Sequence, residues 1–442
     1  MNKPLAVIYA AVDTYSGYGA NGRDKAKAII ELKKDEWDIK IISCRWGDTR
    51  NGFIDGNIQE WGFLKEYIMN GPLQKQPDYF FWITIPNEAQ PMGKYNILIT
   101  AGIETTVCHQ DWILGCNRMN EIWVSSEHSK KVFETTQYEQ RNQQGQVTGI
   151  LKLEKPCKVV FEGANLNVYK TDLPKEVKGG GLYDSISNIK ESYAYLFLGH
   201  WIGTGDLFVD RKNLGITIKA FFETFKNKQN KPALILKTCG AVSSYMDRND
   251  VLKKIEMIKK TVGSTDLPNI YLLHGDFEDK EINELYNHPK VKAMITLGNE
   301  GFNRPALEFS LARKPIIASN WSGHVDFLSK QLEPMISGEV KQIPPPAVNQ
   351  FLIAQSNWFY PNFSEIGETL TDVFKNYDKY LPNARKQGDL NKEKFSFEAM
   401  KNLIKGQLDQ FPKFAQQVEL KLPKLNLPTK QITLPKLTKI GG

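Results

Sequence analysis

Residues 299–319, NEGFNRPALEFSLARKPIIAS, constrain the fold of this chain more than any other stretch of its sequence. An apolar run at 293–297 precedes them and predicts a buried strand, and residues 306–312 predict a helix that ends before Lys314-Pro315. A second apolar strand is predicted at 315–319. This order of strand, glycine-containing loop, helix and strand is typical of a parallel sheet that helices cover on both faces.

Two glutamates in this unit, Glu300 in the loop and Glu308 two turns down the helix, indicate a binding site. A helix N-terminus at the carboxyl end of a strand presents free N–H groups to an anion. Carboxylates beside that anion can accept hydrogen bonds from hydroxyl groups of the same ligand, so the pattern favours a sugar joined to a phosphate. Two other interpretations stay open: two surface acids without a common ligand, or an acid/base pair for glycoside hydrolysis.

The rest of the chain repeats the alternation of strands and helices, which predicts two α/β domains with parallel sheets. We place an N-terminal Rossmann-like domain at 1–170, a linker rich in Lys, Gly and Ser at 171–192, a C-terminal Rossmann-like domain at 193–385, a closing helical segment at 386–411 and a Pro/Lys-rich tail at 412–442. The predicted strands lie at 6–11, 39–43, 79–83, 96–100, 121–124 and 158–161 in the first half, and at 195–198, 233–237, 269–273, 293–297 and 316–318 in the second.

The net charge is concentrated at the end of the chain. The formal value is +7, but six lysines against one glutamate from residue 411 onward account for +5 of it. The remaining body carries only about +2, so no overall basic field indicates a nucleic-acid partner. The prolines of the tail favour extended structure, either a flexible or strapped-on segment or one that docks a partner.

Cysteine usage and the N-terminus indicate the compartment. Five scattered cysteines form no CxxC pair, and the apolar run at 5–12 is too short for a signal peptide or a membrane span. We therefore expect reduced thiols, a cytoplasmic location and no transmembrane segment. No cluster of His, Cys and carboxylate residues has the spacing of metal ligands, so no metal site is expected.

The segment EGFNRPALEFSLARKPIIAS resembles the E-x7-E signature of retaining GT-B glycosyltransferases, in particular those of the large family 4. The two sequences agree at Glu300, Gly301, Phe302, Pro305, Leu307, Glu308 and the closing IIAS, and differ at Asn303-Arg304, where a glycine is commoner first. The resemblance implies that Glu300 approaches the hydroxyls of the donor sugar and that Glu308 holds the nucleotide ribose. It also implies that the backbone of Gly301, Phe302 and Asn303 approaches the donor diphosphate.

The resemblance extends upstream to FLGHW at 197–201 and to Arg211-Lys212. In the family this segment delivers a basic pair to the donor diphosphate, which implies a catalytic role for Arg211 and Lys212. The chemistry agrees, because a lysine is a point charge suited to phosphate and an arginine can grip two oxygens. A solvated pair at the start of a helix is the alternative interpretation.

Further donor-binding residues are implied in both halves of the chain. His200 stands where many relatives carry an arginine, and Gly275 and Asp276 stand where relatives contact the nucleotide base. Gly17 and Gly19, in SGYGA, correspond to the loop that closes over the donor phosphates in GT-B enzymes. Glycine permits a close backbone approach in such a loop. A plain turn is the alternative for each of these segments.

Residues 102–133 resemble a family segment of the form ETD-x-x-P-x-x-W-x-x-x-x-N-x-MDE-x-WV-x-S. The match implies that Glu104 orients the acceptor or stabilises positive charge that develops at the anomeric carbon. His109 is a second catalytic candidate, and a surface or helix-packing histidine is an equally good interpretation of it.

Together these matches predict a GT-B fold, two Rossmann-like domains that face each other across a cleft, with a C-terminal helix closing back and an extended Pro/Lys tail. The expected reaction transfers a sugar from a UDP- or GDP-linked donor to an acceptor hydroxyl, with retention of configuration and without a metal or a cofactor. The acceptor stays open: a glycan, a lipid-linked sugar, a protein or a modified base. The alternatives are a non-catalytic module that binds sugar nucleotides or glycans, and a transferase that acts on modified nucleic acid.

Overall fold

The computed structural model describes residues 3–171, 181–203, 205–240 and 242–414, and this part of the chain forms two six-stranded parallel sheets flanked by helices. The strands are β1 (Leu5–Ala10), β2 (Asp38–Ser43), β3 (Tyr79–Ile83), β4 (Tyr95–Thr100), β5 (Glu121–Val124), β6 (Gln137–Arg141), β7 (Val147–Lys152), β8 (Cys157–Val159), β9 (Ala194–Leu198), β10 (Ala233–Lys237), β11 (Ile270–Leu273), β12 (Val291–Thr296), β13 (Ile316–Ser319), β14 (Met335–Ile336), β15 (Gly338–Gln342) and β16 (Asn357–Pro361). The helices are α1 (Gly17–Lys33), α2 (Phe53–Gly56), α3 (Ile58–Trp61), α4 (Gln110–Asn117), α5 (Glu127–Thr135), α6 (Gly181–Ser187), α7 (Leu214–Phe225), α8 (Tyr245–Lys260), α9 (Asp279–Asn287), α10 (Arg304–Ser310), α11 (Phe363–Lys375), α12 (Tyr377–Lys394) and α13 (Phe397–Leu408).

The first sheet has the strand order β2-β1-β3-β4-β5-β8, and every neighbouring pair runs parallel. Its central strands are apolar along their whole length because helices cover both faces; every residue of β3, YFFWI, is buried. From β1 the chain adds β2 on one side of the sheet and then β3, β4, β5 and β8 on the other, so the strand order reverses between β1 and β3. In parallel sheets a reversal of this kind opens a crevice at the carboxyl ends of the strands.

The second sheet has the order β11-β10-β9-β12-β13-β14, also parallel throughout. Numbered from β9, this is the 3-2-1-4-5-6 order of dinucleotide-binding folds, with its reversal between β9 and β12. The loops that leave β9 and β12 therefore lie side by side at one edge of this sheet. A ligand crevice is expected there.

All eleven strands predicted from the sequence are present, with ends within two residues of the prediction. The strands that the sequence did not indicate are β14, which has two residues, and two hairpins, β6–β7 and β15–β16. Their missing signal has a physical reason: β6 (QYEQR) and β15 (GEVKQ) are mostly or wholly exposed, so neither carries an apolar pattern.

The predicted linker at 171–192 is partly helical. Residues 172–180 lie outside the described residues, but α6 follows directly and packs against α9. The composition of the linker did not predict this helix. Leu182, Ile186 and Ile189, spaced four and three residues apart, give α6 and the turn after it one apolar face against the core.

After the second sheet the chain returns to the first domain. The backbone of Phe397 donates to the carbonyl of Ala164 at 2.8 Å, and α13 packs on α1. Phe411 then lies against Tyr79 and Tyr95, with ring centroids 5.7 and 4.9 Å apart. The predicted closing helix is therefore present as α13, and it completes the core of the first domain. The predicted extended tail lies outside the described residues from position 415 onward.

The antiparallel hairpin β15–β16 and its loop leave the second domain and reach the first. We call residues 338–361 the strap. Phe351 and Leu352, in the loop of the strap, pack with the apolar cluster of the first domain that contains Trp112. The strap therefore spans the cleft between the domains on the side where β4 and β12 end.

Candidate functional site

The candidate site lies at the carboxyl ends of the strands, where both sheets reverse direction. Arg211 and Lys212 lie in the loop between β9 and α7, and Glu300 follows β12. Glu104 comes from the other domain, in the loop after β4. Three segments that are far apart in sequence therefore meet at one crevice, because the strands of each parallel sheet end at a common edge and the two edges face each other.

The four side chains form one ionic cluster across the cleft. The carboxylate of Glu300 accepts from Lys212 Nζ at 2.5 Å and from Arg211 Nη1 at 3.0 Å. The same Nη1 lies 3.0 Å from Oε1 of Glu104. The predicted catalytic residues Glu104, Arg211, Lys212 and Glu300 are thus in direct contact, and Arg211 joins the two domains.

The two carboxylates of the cluster differ in acidity. Burial raises the pKa of Glu300, but Lys212 and Arg211 outweigh it and hold this pKa at about 2. Burial also raises the pKa of Glu104, and Arg211 opposes this rise only in part. Glu300 is consequently ionised throughout the physiological range, so its chemistry is that of a hydrogen-bond acceptor and an anchor for cations.

Two glycines make room for Lys212. A Cβ at Gly199 would lie 2.8 Å from Cδ of Lys212, and a Cβ at Gly298 would lie 2.8 Å from its Cα. The loop is fixed from its other side by Asp210, whose carboxylate accepts from the backbone N–H of Leu214 and Gly215 at 2.9 and 3.1 Å. Close packing against these two glycines therefore fixes the position of Lys212 at the end of β9.

The loop after Glu300 is pressed against the first domain. A Cβ at Gly301 would lie 2.5 Å from the carbonyl oxygen of Ala101, and the carbonyl of Gly301 accepts from Ser126 Oγ at 2.5 Å. Phe302, predicted to bind the donor, turns its ring into the core against Phe327, with centroids 5.1 Å apart. The structure therefore leaves only the backbone of Phe302 at the crevice.

The conformation of Asn303 explains why asparagine can stand where the resembled signature commonly has glycine. Its backbone has φ 76° and ψ 57°, the left-handed conformation. Asparagine adopts this conformation more readily than other residues with a side chain. Its amide also donates to Thr296 Oγ1 at 2.8 Å, so the side chain secures the turn that glycine would make by flexibility.

Glu308 is engaged by an arginine in a second interdomain cluster. Arg304 Nε donates to Glu308 Oε1 at 2.7 Å, and Nη1 of the same guanidinium contacts Asp24 on α1 of the first domain. Asp24 and Glu308 are buried, and the side chain of Arg304 is 15% exposed. Burial raises the pKa of Glu308 to about 7, although Arg304 acts in the opposite direction.

The predicted glycine loop of the first domain has two different parts. A Cβ at Gly17 would meet no described atom within 4 Å, so this residue leaves open space at the start of α1. A Cβ at Gly19 would lie 2.5 Å from the carbonyl oxygen of Thr14, so glycine is required there by the turn itself. Between them Tyr18 is half-buried, with its hydroxyl 3.0 Å from Thr100 Oγ1.

The remaining predicted donor-binding residues, His200 after β9 and Gly275 and Asp276 after β11, lie in loops at the carboxyl ends of these strands. His200 Nδ1 donates to the carbonyl of Gly240 at 2.9 Å. Gly275 has φ 125°, and the neighbouring Asp276 accepts from Ser243 Oγ at 3.2 Å and faces Arg50 of the first domain at 3.8 Å. These predicted residues therefore share one rim of the crevice, beside the ionic cluster.

His109 lies apart from the other predicted catalytic residues. It caps α4, where its Nδ1 accepts from the backbone N–H of Asp111 at 3.1 Å. Its ring lines a cavity of about 490 Å³ together with Trp112 and the loop of the strap. In the described part of the chain no contact joins His109 to Glu300, so the structure does not bring it into the cluster.

Four residues that shape the site were not predicted from the sequence: Asn299, Arg304, Asp24 and Ser322. The hydroxyl of Ser322 accepts from the backbone N–H of Glu300 at 3.0 Å.

Among the described residues, no group of three or more His, Cys, Asp or Glu side chains is arranged to hold a metal ion. The helices of the described ranges include none that is long and apolar enough to cross a membrane.

Two parallel six-stranded domains with these strand orders, facing each other across a cleft, define the GT-B fold. Comparison with solved structures gives the same result. Anabaena Alr3699/HepE in complex with UDP and glucose matches with a TM-score of 0.60 and 13% identity, over 92% of this chain and 100% of that one. A glycosyltransferase from Rickettsia africae ESF-5 matches with a TM-score of 0.60 and 12% identity, over 93% of this chain and all of the other.

The sucrose-phosphate synthase tll1590 from Thermosynechococcus elongatus is also similar, with a TM-score of 0.56 and 10% identity over 92% of this chain and 98% of that one. At these identities the likeness establishes the fold. No family model and no curated protein sequence matches the chain.

Proposed function

We propose that this chain is a glycosyltransferase that moves a sugar from a nucleotide-sugar donor to an acceptor hydroxyl, with retention of configuration and without a metal ion or a cofactor. The observation that carries the proposal is the ionic cluster of Glu104, Arg211, Lys212 and Glu300 at the interdomain crevice of a GT-B fold. The E-x7-E resemblance supports the same reaction class.

The basic pair is suited to the leaving diphosphate. Charge develops on the oxygen that leaves the anomeric carbon, and preorganised cations stabilise such charge most effectively in a site that excludes water. Lys212 and Arg211 are held by Glu300 before any donor binds, so little reorganisation is required of them. They supply the positive charge for which other transferases use a metal ion.

The three carboxylates have separate proposed roles. Glu300, with a pKa of about 2, accepts hydrogen bonds from the donor sugar and holds the basic pair. Glu308 holds the ribose, which requires that Arg304 share this carboxylate with the nucleotide. Glu104 faces the crevice from the first domain and orients the acceptor or stabilises the positive charge at the anomeric carbon.

A uridine nucleotide is the first donor class to test, because Anabaena HepE has been solved with UDP and with UDP-glucose. GDP-linked sugars remain the second class. The acceptor is proposed to be a glycan, a lipid-linked sugar, a protein or a modified base, and the enzyme to work in the cytoplasm.

The test is release of nucleoside diphosphate from a panel of UDP- and GDP-sugars, with thermal unfolding measured in parallel. A donor at about 100 times its Kd stabilises the fold by about 2.7 kcal/mol. For the donor that is turned over, we expect Lys212→Ala to lower kcat by about 10²- to 10³-fold. Lys219→Ala, which removes a lysine paired with Glu223 on the surface of α7, is the matched control and should leave kcat unchanged.

Other outcomes identify the alternatives. A nucleotide sugar that stabilises the fold but is neither hydrolysed nor transferred contradicts the enzyme and favours a non-catalytic binding module. Salt-dependent binding of nucleic acid that disappears when residues 412–442 are deleted favours a transferase that acts on modified nucleic acid.

A further inference from the structure

We propose that Asn299 is a positioning residue that fastens Arg211 and Glu300 to the strap, and through the strap to the first domain. The structural part of this proposal stands by itself. Its catalytic consequence rests on the proposed function, because it concerns the residues that would hold the leaving diphosphate.

Asn299 is fully buried beside Glu300 and contacts Arg211 through its backbone. Its N–H donates to the carbonyl of Arg211 at 2.8 Å, and its own carbonyl accepts from Nη1 of Arg211 at 2.8 Å. That Nη1 is the atom that also contacts Glu104 and Glu300. The position of the guanidinium is therefore set in part by the backbone of residue 299.

The side chain of Asn299 contacts the strap. Its Oδ1 accepts from the backbone N–H of Phe359 at 2.8 Å, and its Nδ2 donates to the carbonyl of Phe359 at 3.3 Å. The amide thus pairs with the backbone of β16 much as a neighbouring strand would. Asparagine suits this position because one side chain supplies both a donor and an acceptor.

Two residues before Phe359, the strap makes a second pair of bonds, now with the first domain. The backbone N–H of Thr106 donates to the carbonyl of Asn357 at 2.9 Å, and the backbone N–H of Asn357 donates to Thr106 Oγ1 at 2.9 Å. Thr106 lies two residues after Glu104, which contacts Arg211. The contacts therefore form a closed ring that passes through both domains and returns to Arg211.

This ring has a mechanical consequence for the site. A single Nη1 atom lies within 3.0 Å of Glu104, Glu300 and the carbonyl of Asn299. Those acceptors belong to different domains, so their separation depends on the angle between the domains. The strap fixes that angle near the site, because it is bonded to Asn299 at one point and to Thr106 at another.

The first experiment follows backbone amide exchange by hydrogen–deuterium exchange mass spectrometry on the full chain without any ligand. Thr106→Val removes one acceptor and keeps the shape of the side chain. We expect peptides that cover 357–361 and 299–302 both to exchange about fivefold faster, as the loss of one hydrogen bond in the ring predicts.

Tyr360→Phe is the matched control, because it removes from the same strand a hydroxyl whose bond, to the carbonyl of Gln342 at 2.9 Å, lies outside the ring. It should leave exchange at 299–302 unchanged. Unchanged exchange at 299–302 in Thr106→Val, whether or not 357–361 changes, overturns the proposal without affecting the proposed function.

The second experiment is kinetic and uses the donor that the wild type turns over. We expect Thr106→Val and Asn299→Ala each to lower kcat by about tenfold, while the KM for the donor changes by less than about twofold. If both residues act through the strap, Thr106→Val should add little to Asn299→Ala in the double variant. Additive losses, or a change confined to KM, overturn a positioning role. An inactive wild type would contradict the proposed function and leave the exchange result to decide the structural claim.

Discussion

Replacement of Glu308 by glutamine tests the electrostatics of the cleft at the end where the ribose is proposed to bind. Burial raises the pKa of this carboxyl from 4.5 to about 7, against the lowering effect of Arg304 and with a further rise from Asp279 and Asp24. Arg304 compensates only in part because its guanidinium also contacts Asp24. At pH values between 4.5 and 7 the carboxyl group therefore takes up a proton when the chain folds.

The expected change in the free energy of unfolding follows from the pKa values of Glu308 in the unfolded and the folded chain. A shift from 4.5 to about 7 corresponds to about 3 kcal/mol, at 1.36 kcal/mol for each pKa unit. Because the folded pKa lies above the unfolded one, this contribution to the free energy of unfolding is lost as pH rises from 4.5 to 7, and it is constant outside that window. In Glu308→Gln this contribution is absent. As pH rises from 4.5 to 7, the free energy of unfolding of the variant should therefore increase by about 3 kcal/mol relative to that of the wild type.

The assay is urea unfolding of both proteins from about pH 4 to about pH 8.5 at one ionic strength. Only the difference between the two curves is used, because other buried carboxyls titrate in both proteins. Curves that stay parallel between pH 4.5 and 7 would refute the reasoning. Glu333→Gln is the control: burial raises the pKa of Glu333 to about 8, so its difference curve should keep rising to that pH.

Four further predictions concern the crevice. UDP binding, measured by calorimetry, should tighten in the wild type as pH rises through about 7, because ionised Glu308 accepts from the ribose, and the tightening should be smaller in Glu308→Gln, where the phosphate of UDP still titrates. Arg211→Lys should lower kcat at least about tenfold in the diphosphate-release assay, because one ammonium cannot reproduce the planar fork. Gly301→Ala places a Cβ 2.5 Å from the carbonyl of Ala101, so small-angle X-ray scattering should show a larger radius of gyration. Asn303→Ala should lower the free energy of urea unfolding by about 1–3 kcal/mol through its left-handed backbone and its lost hydrogen bond, and Asn303→Gly by less.

Controls make these outcomes decisive. Gly71→Ala adds a methyl group at a glycine with no described atom within 4 Å of the new Cβ, so it should leave the scattering curve unchanged. An unchanged radius of gyration in Gly301→Ala would show that the cleft does not depend on this contact. Equal free energies of unfolding in Asn303→Ala and Asn303→Gly would show that backbone strain does not cause the loss of stability.

The sheets could be predicted from the sequence because their strands are buried on both faces and read as continuous apolar runs. The strap could not, since β15 is exposed along its whole length and carries no such run. In the site, Glu300 could be found because it comes shortly after an apolar strand, and the basic pair because its segment resembles one that binds a diphosphate. Asn299 gave no signal of that kind: its role depends on Phe359, sixty residues later in the sequence. Arg304 was visible only as a departure from a pattern, because its partner Asp24 lies 280 residues away.

Because the C-terminal segment packs on the first domain, that domain cannot complete its fold until the end of the chain has been synthesised. Phe411 covers the cluster around Tyr79 and Tyr95, and the backbone N–H of Phe397 donates to the carbonyl of Ala164. A ribosome that has just released residue 170 must add roughly 240 more before these pieces exist, which at about 5–20 residues per second takes about 12 to 48 s. Through that interval the nascent first domain exposes an aromatic surface, so we expect its need for a holding chaperone to end only when α13 and Phe411 have emerged.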